Sequence, residues 1–388
     1  MTPSEKYVAA LCEKSFLPFW SFPNPIGKKG KELCDVLVVC NQYVIIISVK
    51  DISPSNHKDE MVNYDRWVKK AITNSVDQIY GAERYLESET DVLLKDRKTL
   101  VKLPPKESRQ IFRIAIAFGS KSNYPLPHGD FDKGHVSVFD EHSTKIIIEE
   151  LDTITDFTNY LVAKEKFMLD YNVHFSREAD FLTFYINTVL EVDAPKGAMV
   201  AGMDGLWESY FISPEYVQWR LDLEQSLVWD KMIRDIYTYH ITDNVSQQRR
   251  EDLERIVRFI NLEPRINRIE LGSVLNNAIE SKVKARMLRP LEDANHTYVI
   301  LPITTDNWNT RETELQMRCV VARKENPTTE KIIGVAVGKN PDGDKWFDLC
   351  LVDVKTLDED FIEMASKIQE EFGYFTNPKI SNSKDFRK

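Results

Sequence analysis

The strongest constraint on this chain lies between Lys31 and Asp51, KELCDVLVVCNQYVIIISVKD. Two apolar runs rich in β-branched residues, Val36 to Cys40 and Tyr43 to Val49, are joined by the short polar pair Asn41-Gln42. Runs of this kind around a tight polar break read as a β-hairpin buried in a core. Asp35 opens the first run and Lys50 closes the second, so a carboxylate and an ammonium stand at the ends of neighbouring strands. Two outcomes follow from that placement. Either the pair converges on a metal and a phosphate, or it forms an ion pair at a sheet edge.

Length and charge limit what surrounds the hairpin. At 388 residues the chain exceeds most single cores, so two or three domains are expected. The longest apolar run, Tyr43 to Val49, is far too short to span a bilayer, and no signal-peptide pattern opens the sequence. The five cysteines lie inside apolar runs without a CxxC pairing, which reads as reduced core thiols in a cytosolic protein. The seven histidines are scattered, which argues against a zinc site. Residues 1–150 carry 21 Lys and Arg against 21 Asp and Glu, whereas the remainder holds 30 against 40. The acidic excess of the C-terminal two-thirds opposes a general DNA-coating role and suits a protein partner, while leaving room for a local basic groove.

Ser4 is the expected N-cap of a first helix carrying Val8, Leu11 and Cys12. A loop from Phe16 to Lys31 follows, with packed aromatics and an exposed Gly27-Lys28-Lys29-Gly30-Lys31 tip. After the hairpin, Val62 to Glu87 reads as one long helix with Trp67, Ala71, Ser75, Gln78, Ala82 and Tyr85 on one face. Because Ser75 and Gln78 are polar, that face looks at something polar as well as at a core. Strands at Phe112 to Phe118 and His135 to Phe139 flank a proline- and glycine-rich loop from Asn123 to Gly134, and a helix spans Asp152 to Leu169. His128 and His135, lacking a carboxylate or nucleophile at useful spacing, read as surface residues.

From Arg177 the pattern turns helical, with candidates at Arg177 to Leu190, Pro214 to Tyr239, Ser246 to Leu262 and Arg268 to Leu288. Trp207, Trp219 and Trp229 read as core anchors between them. Strand patterns return in YVILPI, QMRCVVAR, KIIGVAVG and WFDLCLVDVK, with a turn at Asn340 to Asp344 before the last, and a helix closes the chain at Asp358 to Phe372. Ser381 to Lys388 is a polar end. The expected fold is thus an α/β N-terminal domain (1–170) with a mixed sheet flanked by helices, a helical middle (171–292), and a small α+β module (293–388). The module's sheet is expected to be an antiparallel meander.

Side chains alternate along a strand, so Ile46, Ser48 and Lys50 share one face, as do Asp35, Leu37 and Val39. If Asp35 and Lys50 face the same way, Glu5 from the first helix and Gln78 from the long helix can close over them. Carboxylates that hold Mg²⁺, with a lysine orienting water or stabilising developing charge, are the ingredients of phosphodiester hydrolysis. Lys28, Lys29 and Lys31 on the exposed tip would contact phosphates.

At this point residues 1–170 resemble the PD-(D/E)XK, restriction-endonuclease-like superfamily, and more closely its Mrr-like branch. Glu5 looks like the family's helix glutamate, Cys34-Asp35 stands where Pro-Asp would, Ser48-Val49-Lys50 stands for the (D/E)-x-K triplet, and Gln78 looks like the following helix glutamine. The resemblance implies a Mg²⁺- or Mn²⁺-dependent nuclease acting on DNA, in a setting of bacterial restriction or phage defence. It gives Asp35 and Glu5 the metal, Lys50 the catalytic cation, and Gln78 the positioning of substrate or water. Ser48 departs from the pattern, because a hydroxyl replaces a carboxylate. Glu5, Glu13 or Glu32 would compensate, or Asp51 or Glu83 would move in; otherwise the fold is a catalytically inactive module for nucleic-acid binding or protein assembly.

Overall fold

In the computed structural model, which describes residues 1–121, 124–241, 245–280, 285–290, 294–343 and 345–379, the chain forms two compact units. Met1–Leu221 with Asn261–Arg265 make the first, and Asp222–Ile260 with Ile266–Lys388 make the second. The expected helical middle is therefore divided between them. Asn123, residues 281–284 of the fourth expected helix, Asp344 and the 381–388 end lie outside the described residues. No helix among the described residues is long and apolar enough to cross a membrane.

The first unit opens with α1 (Pro3–Phe16) and a short strand β1 (Ser21–Pro23) ahead of the hairpin strands β2 (Val36–Cys40) and β3 (Tyr43–Asp51). The hairpin pairs as its pattern dictates, from Val36 opposite Ile47 to Cys40 opposite Tyr43. Asn41 turns the chain at φ 52°, a left-handed conformation that asparagine tolerates better than most residues. Helix α2 (Glu60–Trp67) continues through a π-helical turn at Val68–Thr73 into α3 (Asn74–Leu86), which together form the expected long helix. A small antiparallel ribbon, β4 (Asp91–Leu93) with β5 (Leu100–Lys102), precedes β6 (Gln110–Phe118), β7 (Gly129–Asp130) and β8 (His135–Asp140). The six-stranded sheet runs β1-β2-β3-β6-β8-β7. Its pairings β3–β6 and β6–β8 are parallel and the rest antiparallel, so the sheet is mixed as expected.

Helices cover both faces. Strand residues of one parity, among them Leu37, Ile46, Ala115 and Val138, pack under Trp67, Ala71, Val76 and Ile79 of the long helix. The other face meets α1, α4 (Glu141–Glu150) and α5 (Ile154–Asp170). Phe16 and Phe157 pack with ring centroids 5.0 Å apart, and Lys14 pairs with Glu149 at 2.9 Å. Helix α4 had no counterpart in the sequence reading. Beyond it come β9 (Asn172–Val173), α6 (Glu178–Thr188), β10 (Met199–Val200), α7 (Leu206–Phe211) and the long α8 (Pro214–His240).

A charged cluster lies inside this layer. Lys164 is fully buried, with Nζ 2.6 and 2.7 Å from the two Glu178 oxygens. The Tyr160 hydroxyl donates to the same carboxylate, and the rings of Phe139, Phe175 and Phe181 surround the ammonium at 5.7, 5.4 and 5.8 Å. His128 and His135 border this cluster and are half-buried, which corrects their reading as surface residues. His128 stacks on Phe175, and burial together with the Lys164 charge lowers its pKa to about 3 and that of His135 to about 4.

In the second unit, α9 (Gln247–Leu262) and α10 (Arg265–Glu280) precede β11 (Arg286–Met287), β12 (His296–Ile303), α11 (Arg311–Glu325), β13 (Lys331–Lys339), β14 (Lys345–Asp353) and α12 (Glu359–Phe372). The fourth expected helix thus starts earlier than expected, and strand β11 stands at its expected C-terminal end. QMRCVVAR, expected as a strand, lies within α11. That helix makes the β12–β13 pairing parallel, so the meander is corrected to a four-stranded sheet whose other two pairings are antiparallel. Parallel neighbours need a crossover, and the 310–325 segment supplies it.

Removing one member of the buried Lys164–Glu178 pair leaves an uncompensated charge in a low-dielectric layer. Lys164→Ala should therefore cost about 3–5 kcal/mol of stability, while joint replacement by Lys164→Met and Glu178→Leu should cost clearly less. Urea unfolding of both variants measures the difference. A single variant as stable as the parent would show the pair to be inconsequential.

Candidate active site

The site is assembled from the C-terminal end of β3, the residue before β2, and the inner face of α3. In the hairpin register Asp35 precedes the Val36–Ile47 pair, which places it beside Ser48 and on the face shared with Leu37. Backbone alternation puts Ser48 and Lys50 on that same face. The two alternating sets identified in the sequence therefore face the same layer. Asp35 is 2% exposed. Its Oδ2 accepts the Val49 N–H at 2.6 Å and lies 3.9 Å from Lys50 Nζ.

Gln78 closes the group from above. Its Oε1 accepts from Lys50 Nζ at 2.8 Å and from Ser48 Oγ at 3.0 Å. Ser75, one turn earlier, instead donates to its own helix at the Ala71 carbonyl, 2.9 Å away. Between Trp67 and Gln78 the chain passes through the wider π-helical turn, a feature often found near functional sites. Asp35, Ser48, Lys50 and Gln78 thus form one connected group.

Glu5 is placed differently. Thr2, not Ser4, caps α1, because Pro3 suits the first helical turn and starts the helix earlier than expected. The Glu5 carboxylate accepts the Thr2 N–H at 2.8 Å in a capping box. It remains close enough to act on the charge of Asp35. Ser4 is buried and donates through Oγ to Asp51 Oδ2, tying the start of α1 to the end of β3. Asp51 is held by that contact, and Glu83 forms a two-bonded pair with Arg113, so neither supplies the carboxylate missing at Ser48. Glu13 is exposed on α1.

Glu32, weighed in the sequence only as a compensating ligand, stands next to Asp35 and interacts with its carboxyl. A backbone bridge between Ile26 and Glu32, and another between Ile26 and Leu93, fix this arm. Lys28, Lys29 and Lys31 are solvent-exposed at its tip, where Lys29 adopts φ 58°. Sequence reasoning did not find Asn63. It is 1% exposed and shapes the loop between β3 and α2 by accepting from Ser55 Oγ at 2.7 Å and the His57 N–H at 2.8 Å. No local pattern distinguishes such an asparagine from a solvated one.

Burial is the main reason that Asp35 titrates high, at about 6; Glu32 and Glu5 add to the rise, while the Val49 N–H and Lys50 oppose it. Excess negative charge in a desolvated pocket is what a divalent cation would relieve. Among the described residues no group of three His, Cys, Asp or Glu side chains could hold a metal. The donor set still fits Mg²⁺, which commonly keeps several waters and takes one or two protein carboxylates. No protein-family model, curated protein or solved structure matches the chain.

A carboxyl whose pKa rises on folding holds its proton more tightly in the native state. The resulting stability is complete below the ordinary value of 3.8 and is lost as the pH rises through about 6. In chelator-containing buffer, Asp35→Asn should therefore be more stable than the parent at pH 7–8, by on the order of 2–3 kcal/mol, with the gap closing toward pH 4. Paired urea titrations across this range test it. A variant that becomes progressively less stable than the parent as pH rises would contradict the assignment.

Proposed function

We propose that the first unit is a metal-dependent phosphodiesterase of the nuclease type, with DNA as its substrate. The observation that carries this reading is the convergence of Asp35, just before β2, with Ser48 and Lys50 of β3 and Gln78 of α3, in which Gln78 accepts from Ser48 and Lys50 and the Lys50 ammonium lies 3.9 Å from Asp35. Asp35 and Glu5 would hold Mg²⁺ or Mn²⁺, with Glu32 as the carboxylate beside them. When bound, the metal supplies polarisation of the scissile phosphate and a more acidic water. Lys50, oriented by Gln78, presents its remaining ammonium hydrogens to a phosphate oxygen or to the attacking water. Gln78 fixes that orientation through Oε1 and keeps its amide N–H groups for substrate. Lys28, Lys29 and Lys31 offer exposed positive charge for the nucleic-acid backbone.

The choice of DNA, a cytoplasmic location, and a setting in restriction or phage defence rest on the resemblance of residues 1–170 to the PD-(D/E)XK superfamily. A second reading rests on Ser48. This fully buried hydroxyl stands where the family carries an acid, which favours an inactive module that binds nucleic acid or assembles with a protein through its acidic C-terminal two-thirds.

The assay is degradation of single- and double-stranded DNA with Mg²⁺ or Mn²⁺. Asp35→Ala and Lys50→Ala should each lower the rate by about 100-fold or more. An Asp35→Ala protein that cleaves as fast as the parent would refute the catalytic assignment. A parent that binds DNA without cutting it, and begins to cut as Ser48→Glu, would select the second reading.

A further inference from the structure

In the second unit, two cysteines far apart in sequence meet beneath a glycine. Cys319 is fully buried on the inner face of α11, and Cys350 is half-buried on β14. Their sulfurs are 3.4 Å apart. Gly334 of β13 lies directly opposite Cys350 in the sheet register. A Cβ at that position would sit 2.5 Å from Cys350 Sγ and 2.7 Å from Cys319 Sγ, closer than any side chain tolerates. The glycine thus leaves open the space in which the two sulfurs touch. Such contact has a bland explanation, since reduced thiols pack as small hydrophobes. Two sulfurs in van der Waals contact, one of them on a half-buried residue, are also arranged for a bond.

We propose that Cys319 and Cys350 form a reversible disulfide on exposure to a peroxide, making this module an oxidation-sensitive site that clamps α11 to the edge strand β14. Cys350 reacts first because it is the less buried of the two, whereas burial holds Cys319 well above the usual thiol range and keeps it protonated. The Cys350 thiolate attacks one peroxide oxygen, the O–O bond breaks, and sulfenic acid and hydroxide result. The Cys319 sulfur then attacks the Cys350 sulfur, the S–O bond breaks, and the Cys319 proton leaves with the departing oxygen as water. Overall, two thiols and one hydrogen peroxide give one disulfide and two waters. A dithiol reverses the change by exchange. Cys12, Cys34 and Cys40 are buried in the first unit.

The test uses the full-length reduced protein under native conditions with a small excess of hydrogen peroxide, followed by intact-mass measurement and non-reducing peptide mapping. The expected result is a loss of two hydrogens, a cross-link joining the peptides that carry Cys319 and Cys350, and full reversal by dithiothreitol. Cys350→Ser should abolish the cross-link. Cys319→Ser should stop the reaction at a Cys350 sulfenic acid that dimedone traps. Oxidation of the parent to a Cys350 sulfinic acid while Cys319 remains alkylatable after unfolding would overturn the proposal, as would recovery of both thiols unchanged.

Discussion

The candidate site depends on one desolvated carboxylate. Asp35 enters the protein interior because it precedes a strand that is buried on both faces, and its Oδ2 is fixed there by the Val49 N–H at 2.6 Å. That bond anchors the side chain against the stretch of β3 from which Ser48 and Lys50 project. Water is largely excluded, so the charge of Asp35 is held at a cost that its surroundings offset only in part. Lys50 lies 3.9 Å away, while its closer hydrogen bond goes to Gln78. The charge of Asp35 is thus offset only in part by Lys50, and that remaining imbalance is what the proposed cation would relieve.

Much of this was legible in the sequence because two periodicities met at one place. Period-two alternation put Ser48 and Lys50 on one face of β3, and steps of three and four brought Gln78 to the inner face of α3. Neither pattern fixes the relative phase of Asp35 and Lys50; the hairpin register does so, by setting Val36 against Ile47. The capping role of Glu5 was less visible, since Thr2 and Ser4 are both good caps and only Pro3 decides between them. The position of Glu32 beside Asp35 was not legible, because it comes from backbone bridges that no short-range pattern encodes.

The misread segment at Gln316 to Arg323 has a physical explanation. Its Cys-Val-Val core favours a strand locally, but Glu312 and Glu314 in the first turn and Arg323 and Lys324 in the last complement a helix dipole. Leu315, Cys319 and Ala322 then form a stripe against Ile332 and Ala336 of the sheet. Tertiary packing overrides local propensity here, and the same packing brings Cys319 to Cys350 beneath Gly334. His128 and His135 were misread for a related reason. His128 stacks on Phe175, and both rings feel the charge of Lys164, whose pairing with Glu178 carries no sequence signal linking it to the loop.

Asp35 is proposed to anchor a divalent-cation site despite the serine at position 48. Isothermal titration of Mn²⁺ and Mg²⁺ into the parent and Asp35→Asn proteins, near pH 7.5 where the carboxylate is ionised, tests it most directly. A saturable binding event is expected in the parent and its loss in Asp35→Asn. Absence of binding to the parent, or equal binding to both proteins, would contradict it.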